Sequence, residues 1–96
     1  MTREQVIEQL TPIVREMLKD DTLVLRDDMS AENVPTWTSL SFMMLLTEIE
    51  NRFGFKFKMM EILNLQNMGA IIDAVCSHTH TYIHTYIHTY MAPSNE

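Results

Sequence analysis

The sequence predicts an all-α fold: a small four-helix bundle of three main helices and one short one, with a long loop between the first and the second. Three observations predict it. Apolar residues recur at helical spacing in three separate segments. Capping residues and a glycine stop stand at the ends of those segments. Strand patterning is weak throughout the first 76 residues, where Phe55-Lys56-Phe57-Lys58 is a short run that alternates with period two. A small antiparallel bundle is the economical way to bury three such stripes.

Helix one is expected from Arg3 to about Leu18. Thr2 suits its N-cap, and Gln5 follows at the capping-box distance. Val6, Leu10, Ile13, Val14, Met17 and Leu18 fall on one face. Pro12 clashes with the carbonyl one turn earlier, so a kink is expected there, or a helix that begins again at Thr11-Pro12. Residues 19–36 read as a connecting loop, long enough to have a task of its own. Leu23, Val24 and Leu25 are expected to pin it to the core. Its acidic pairs, Asp20-Asp21 and Asp27-Asp28, read as a solvated face, with weak divalent-cation binding as the alternative.

Helix two is expected from Ser39 to near Phe53, with Leu45, Leu46, Ile49 and Phe53 as its buried stripe. Gly54 then ends it in the left-handed conformation. The run Phe55 to Lys58 is expected to be extended. A short third helix covers Met59 to Leu63. Asn67 caps a fourth, Met68 to Cys76, with Ile71, Ile72 and Val75 facing inward.

A chain of 96 residues allows one domain and leaves little volume for a deep catalytic cavity. The formal charge is −6, and residues 1–76 carry twelve acids against seven bases. Such a surface repels phosphate backbones and attracts basic patches on proteins, so nucleic acid is not an expected partner. A lone cysteine, Cys76, permits no internal disulfide and fits a reducing compartment. The stretch Thr2 to Leu10 is polar and charged, unlike a secretory signal, and the run Phe42 to Leu46 is too short for a bilayer. A cytoplasmic monomer without membrane attachment is expected.

At Trp37-Thr38-Ser39-Leu40 the chain resembles the acyl carrier protein and peptidyl carrier protein family, above all freestanding members with a W-D-S-L signature. The frame continues through Ile49-Glu50-Asn51-Arg52-Phe53-Gly54-Phe55-Lys56-Phe57, then Glu61-Ile62, Leu65, Asn67 and Gly69, and closes at Ile72-Asp73-Ala74-Val75. The resemblance covers roughly residues 3–76. It implies a non-catalytic carrier with a phosphopantetheine arm, taken from coenzyme A, on Ser39. It implies as partners a phosphopantetheinyl transferase, an acyl- or aminoacyl-loading ligase and downstream synthase or transferase enzymes. Leu40, Met43 and Phe57 are expected to form an apolar contact patch, and Glu48 and Glu50 to dock on basic partner residues.

Two departures stand out. Thr38 occupies the place where the family has Asp, so it can cap the helix but brings no charge for the transferase to recognise. Helix two is also poorer in acids than the family's, and Met43 and Met44 widen its apolar face instead. An unmodified carrier-like adaptor that binds partners without the arm is the alternative function. No enzyme is expected, because all four histidines lie at or beyond position 78 and no nucleophile is paired with a base inside the domain.

Residues 77–96 form a separate low-complexity tail, in which Thr-Tyr-Ile-His repeats from Thr81. A DNA repeat of ACAT gives this cycle in any reading frame, so an expanded microsatellite accounts for it without a function. The tail is expected either to be disordered or to extend helix four for a turn or two. In a helix, His80, His84 and His88 would share one face, as a metal site requires, although the β-branched Thr and Ile oppose helix formation.

Overall fold

A computed structural model describes residues 1–91 of the chain, with side chains through Thr79, and contains four helices and no strand among those residues. Helix α1 spans Arg3–Met17, α2 Ser39–Phe53, α3 Met59–Ile62 and α4 Met68–Met91. The expected capping box opens α1: the Gln5 N–H donates to Thr2 Oγ1 at 3.1 Å, and the Thr2 N–H to Gln5 Oε1 at 2.9 Å. The helix runs through Pro12 without beginning again at Thr11. Pro12 and Glu8 are both exposed, so water can satisfy the carbonyl that Pro12 leaves without a partner. Lys19 ends α1 in the left-handed conformation with φ 57°. Its N–H donates to the Glu16 carbonyl and that of Asp20 to the Arg15 carbonyl, which is the Schellman pattern.

Val6, Leu10, Ile13 and Val14 of α1 meet Leu45, Leu46 and Ile49 of α2 and Met68, Ile71, Ile72 and Val75 of α4 in one buried cluster. Each such side chain contributes about 1.5–3 kcal/mol when removed from water. Phe53 is only half-buried at the edge of that stripe.

The long loop enters the same core, but not through the expected run alone. Met29, Val34 and Trp37 are its buried anchors, Leu23 and Leu25 are half-buried, and Val24 faces solvent. The first turn of α4 supplies further fixing points. The Met68 N–H donates to the Met29 carbonyl at 2.8 Å and the Gly69 N–H to the Asp27 carbonyl at 3.0 Å. These bonds satisfy donors that a helix start leaves without partners. A Cβ at Gly69 would stand 3.0 Å from the Asp27 Cβ, so glycine permits this close approach. Asn67 caps α4 as expected, its Oδ1 accepting from the Ala70 N–H at 2.8 Å. Arg3 completes the seat, its guanidinium reaching Asp27 at 2.8 Å and Asp73 at 3.0 Å.

Helix α4 continues well past Cys76, the end expected from its apolar face. The Thr79 hydroxyl donates back to the Val75 carbonyl at 3.0 Å, so this β-branched residue is accommodated within the helix. The side chains of His80, His84 and His88 lie outside the described residues, and the metal reading with them. No helix among the described residues is long and apolar enough to cross a membrane.

Candidate functional site

The site is the corner where the loop becomes α2. Trp37 is buried there, its ring stacked on Phe42 with centroids 6.2 Å apart and planes 14° from parallel. That packing fixes where the loop ends. Thr38 follows as N-cap in extended backbone. The Ser41 N–H donates to Thr38 Oγ1 at 3.1 Å, and the Thr38 N–H to Ser41 Oγ at 2.8 Å. The Ser41 hydroxyl in turn donates to the Thr36 carbonyl at 2.8 Å. The hydroxyls of Thr38 and Ser41 are therefore occupied in building the helix start.

Ser39, the first residue of α2, is different. It is exposed, and its hydroxyl has no hydrogen-bond partner among the described residues. It stands at the edge of an open cleft of about 620 Å³ between the loop and the turn before α4, lined among others by Ser30, Trp37, Phe42, Leu65 and Gln66. The helix start beside it favours negative charge, because the first-turn N–H groups and the helix dipole point there. No acid stands in the first turn of α2 to oppose a phosphate. A phosphodiester on an accessible hydroxyl fits the helix start, while Asp28 and Glu32 line the loop side of the cleft.

The neighbouring residues divide. Leu40 and Met43 are exposed, at 72 % and 51 %, as a contact patch requires. Phe57 is not: at 7 % exposure it belongs to the core, because Phe55 and His78 close over its ring, at centroid distances of 5.0 and 5.9 Å. The expectation that it meets partners is corrected. Glu50 is corrected too. Its carboxylate accepts from the Phe57 N–H at 2.8 Å and is only 17 % exposed, so it fastens the chain after α2 and is not free to dock. Glu48 is half-buried and accepts from Arg52 at 2.7 Å one turn along the helix, which neutralises it locally.

One cluster escaped the sequence reading. His78 Nε2 lies 2.8 Å from both oxygens of Glu61, and its ring stacks face to face on Phe55 at 4.2 Å. Burial pushes the Glu61 carboxyl up. The Lys58 N–H and His78 more than offset this, and it sits below the ordinary carboxylate value. The cluster ties short α3 to α4. Its signal was the box-like spacing of Lys58 and Glu61, but His78 lay beyond the expected end of the last helix. Burial raises the Cys76 thiol above its usual value.

A small bundle that displays an uncommitted hydroxyl at a helix start has the architecture of a carrier. The comparisons agree. The model of the phosphopantetheine attachment site family matches residues 8–75. The holo acyl carrier protein from Geobacter metallireducens, solved by NMR, is similar at 33% identity and a TM-score of 0.77, over 82% of this chain and 91% of that one. No curated protein matches the chain. The chain belongs to the phosphopantetheine attachment family, a carrier family that is generally non-catalytic, and its cofactor is covalently attached phosphopantetheine.

Proposed function

We propose that Ser39 is the attachment residue and that the protein shuttles thioester-bound acyl or aminoacyl intermediates between partner enzymes. The observation that carries this is the contrast among neighbouring hydroxyls: Thr38 and Ser41 are spent on the helix cap, while Ser39 is exposed, uncommitted and, unlike the exposed Thr36 of the preceding loop, on the first turn of α2. When bound, the group supplies a terminal thiol that holds the cargo. The chain's own residues present the acceptor oxygen, stabilise the attached phosphate through the α2 start, and hold the corner rigid through Trp37 and Phe42. A phosphopantetheinyl transferase, a loading ligase and downstream synthase or transferase enzymes are the partners, met by a cytoplasmic monomer through Leu40, Met43 and the Glu48 side of α2.

Intact mass after co-expression with a broad-specificity transferase tests the reading. A gain of about 340 Da, the covalent addition of one arm, is expected for the wild type and absent from Ser39→Ala. A gain that persists in Ser39→Ala would move the site to another residue.

Thr38 favours a second reading, an adaptor that binds partners without the arm, because no acid stands where the transferase of this family usually finds one. Thr38→Asp separates the two. A marked rise in modification means that recognition alone is weakened. Tight partner binding by unmodified protein, unaffected by Thr38→Asp, favours the adaptor.

A further inference from the structure

The chain holds nine methionines, and they divide by burial. Met29 and Met68 lie in the core at 1 % exposure or less, whereas Met43, Met44, Met59 and Met60 stand between 46 % and 72 % exposed. Met43 and Met44 border a shallow groove of about 350 Å³, to which half-buried Met17 adds a third thioether from the end of α1. Met43 stands one helical turn after Ser39. The two sides of Ser39 are unlike. On the loop side, Asp28 and Glu32 line the cleft. On the helix side, α2 has no charged residue from Ser39 to Thr47, and its exposed apolar side chains there are Leu40, Met43 and Met44.

A thioether on an open surface is within reach of peroxide. The sulfur lone pair attacks one oxygen of hydrogen peroxide, an S–O bond forms and the O–O bond breaks. The hydroxide released takes the remaining proton and leaves as water, so sulfur is oxidised by two electrons and peroxide is reduced by two. The product is a polar sulfoxide where an apolar surface stood. A sulfoxide reductase reverses the step with two thiols, which become a disulfide while the oxygen leaves as water. An enzyme that acts on the Ser39 oxygen covers the turn that follows it, and a sulfoxide oxygen buried there without a donor weakens the encounter. Met29 and Met68 are shielded by the core, so the fold outlasts the reaction at the surface. We propose that Met43 and Met44 form a reversible oxidation site, at which peroxide slows attachment of the arm to Ser39 without unfolding the bundle. This regulation rests on the Ser39 reading.

The full chain is treated with hydrogen peroxide, catalase removes the excess, and coenzyme A and a purified broad-specificity transferase are then added. Intact and peptide masses count the added oxygens, at about 16 Da each, and place them. Met43, Met44, Met59 and Met60 are expected to react before Met29 and Met68. KM for attachment is expected to rise about tenfold with kcat nearly unchanged, as burial of unpaired polar oxygens requires. Methionine sulfoxide reductase with dithiothreitol is expected to remove the added mass and restore KM, whereas dithiothreitol alone is not, which separates the thioethers from the Cys76 thiol. In Met43→Leu combined with Met44→Leu, KM before and after peroxide is expected to agree within about twofold, whatever its starting value. Met59→Leu combined with Met60→Leu is expected to keep the rise. An unchanged KM for protein that carries oxygen on Met43 and Met44 overturns the proposal and leaves Ser39 in place. So does an equal rise in the Met43→Leu and Met44→Leu pair, recovery with dithiothreitol alone, or a loss of helical circular dichroism on oxidation. If untreated protein gains no arm, the attachment reading falls and this one with it.

Discussion

The two ends of α2 are built to opposite purposes. At its C-terminal end nearly every polar group is committed. Gly54 turns the chain at φ 77°, the Glu50 carboxylate receives the Phe57 N–H, Arg52 reaches back to Glu48, and Phe55 is clamped under His78. At its N-terminal end the cap is just as regular, yet one hydroxyl and a row of apolar side chains are left open to solvent. One helix thus has an end that holds the fold and an end that meets other molecules. The division shows why a carrier needs no cavity: reactivity requires only that one end of a rigid element stay unsatisfied.

The comparison breaks most sharply with a pair of alanine variants. Ser39→Ala should abolish the mass gain completely while changing stability by less than about 0.5 kcal/mol. Glu50→Ala should cost about 1.5–3 kcal/mol by urea unfolding, because it orphans the Phe57 amide, and should leave the modified residue unchanged. Were Ser39→Ala to destabilise as much as Glu50→Ala, the two ends would not differ. A smaller effect, about 1–2 kcal/mol, is expected from Gly54→Ala, since a side chain is strained at that backbone angle although nothing else stands within 4 Å. Thr38→Ala removes one half of the N-terminal box and should cost about 1 kcal/mol.

The smallest effect is a pH dependence at the C-terminal clamp. The Glu61 carboxyl sits below its ordinary value of 4.5, so the clamp contributes stability that is present above that pH and lost as the pH falls below it. Thermal unfolding should therefore show wild type more stable than Glu61→Gln near neutrality, with the difference shrinking as the pH falls below 4.5 and the carboxyl takes up its proton. A difference that grows on acidification would reverse the assignment.

Much of this architecture was legible in the chain. The three apolar stripes, Thr2, Asn67 and Gly54 are local signals, and local signals decide where helices begin and end. Ser39 could be singled out because Trp37 and Leu40 set it in a recognisable frame. Residues whose roles depend on distant contacts were harder. The alternation of Phe55 to Lys58 does not say which face is covered until α4 packs on it, and so Phe57 was read as surface. Glu50 resembled a surface acid because its partner is a backbone amide seven residues on. Met29 and Val34 anchor the loop through tertiary packing and carry no periodic pattern. The length of α4 was underestimated because β-branched residues disfavour a helix by only a few tenths of a kcal/mol each, and extending an existing helix is easier than starting one.

The seat of the loop on α4 has a consequence for how the protein is made. Met68 and Gly69 supply the amides that receive the loop carbonyls, and they lie about thirty residues downstream of Ser39 in the order of synthesis. A nascent chain still holding them inside the ribosome cannot seat the loop at Asp27 and Met29. Until they emerge, the loop lacks the two backbone bonds that fasten it to α4.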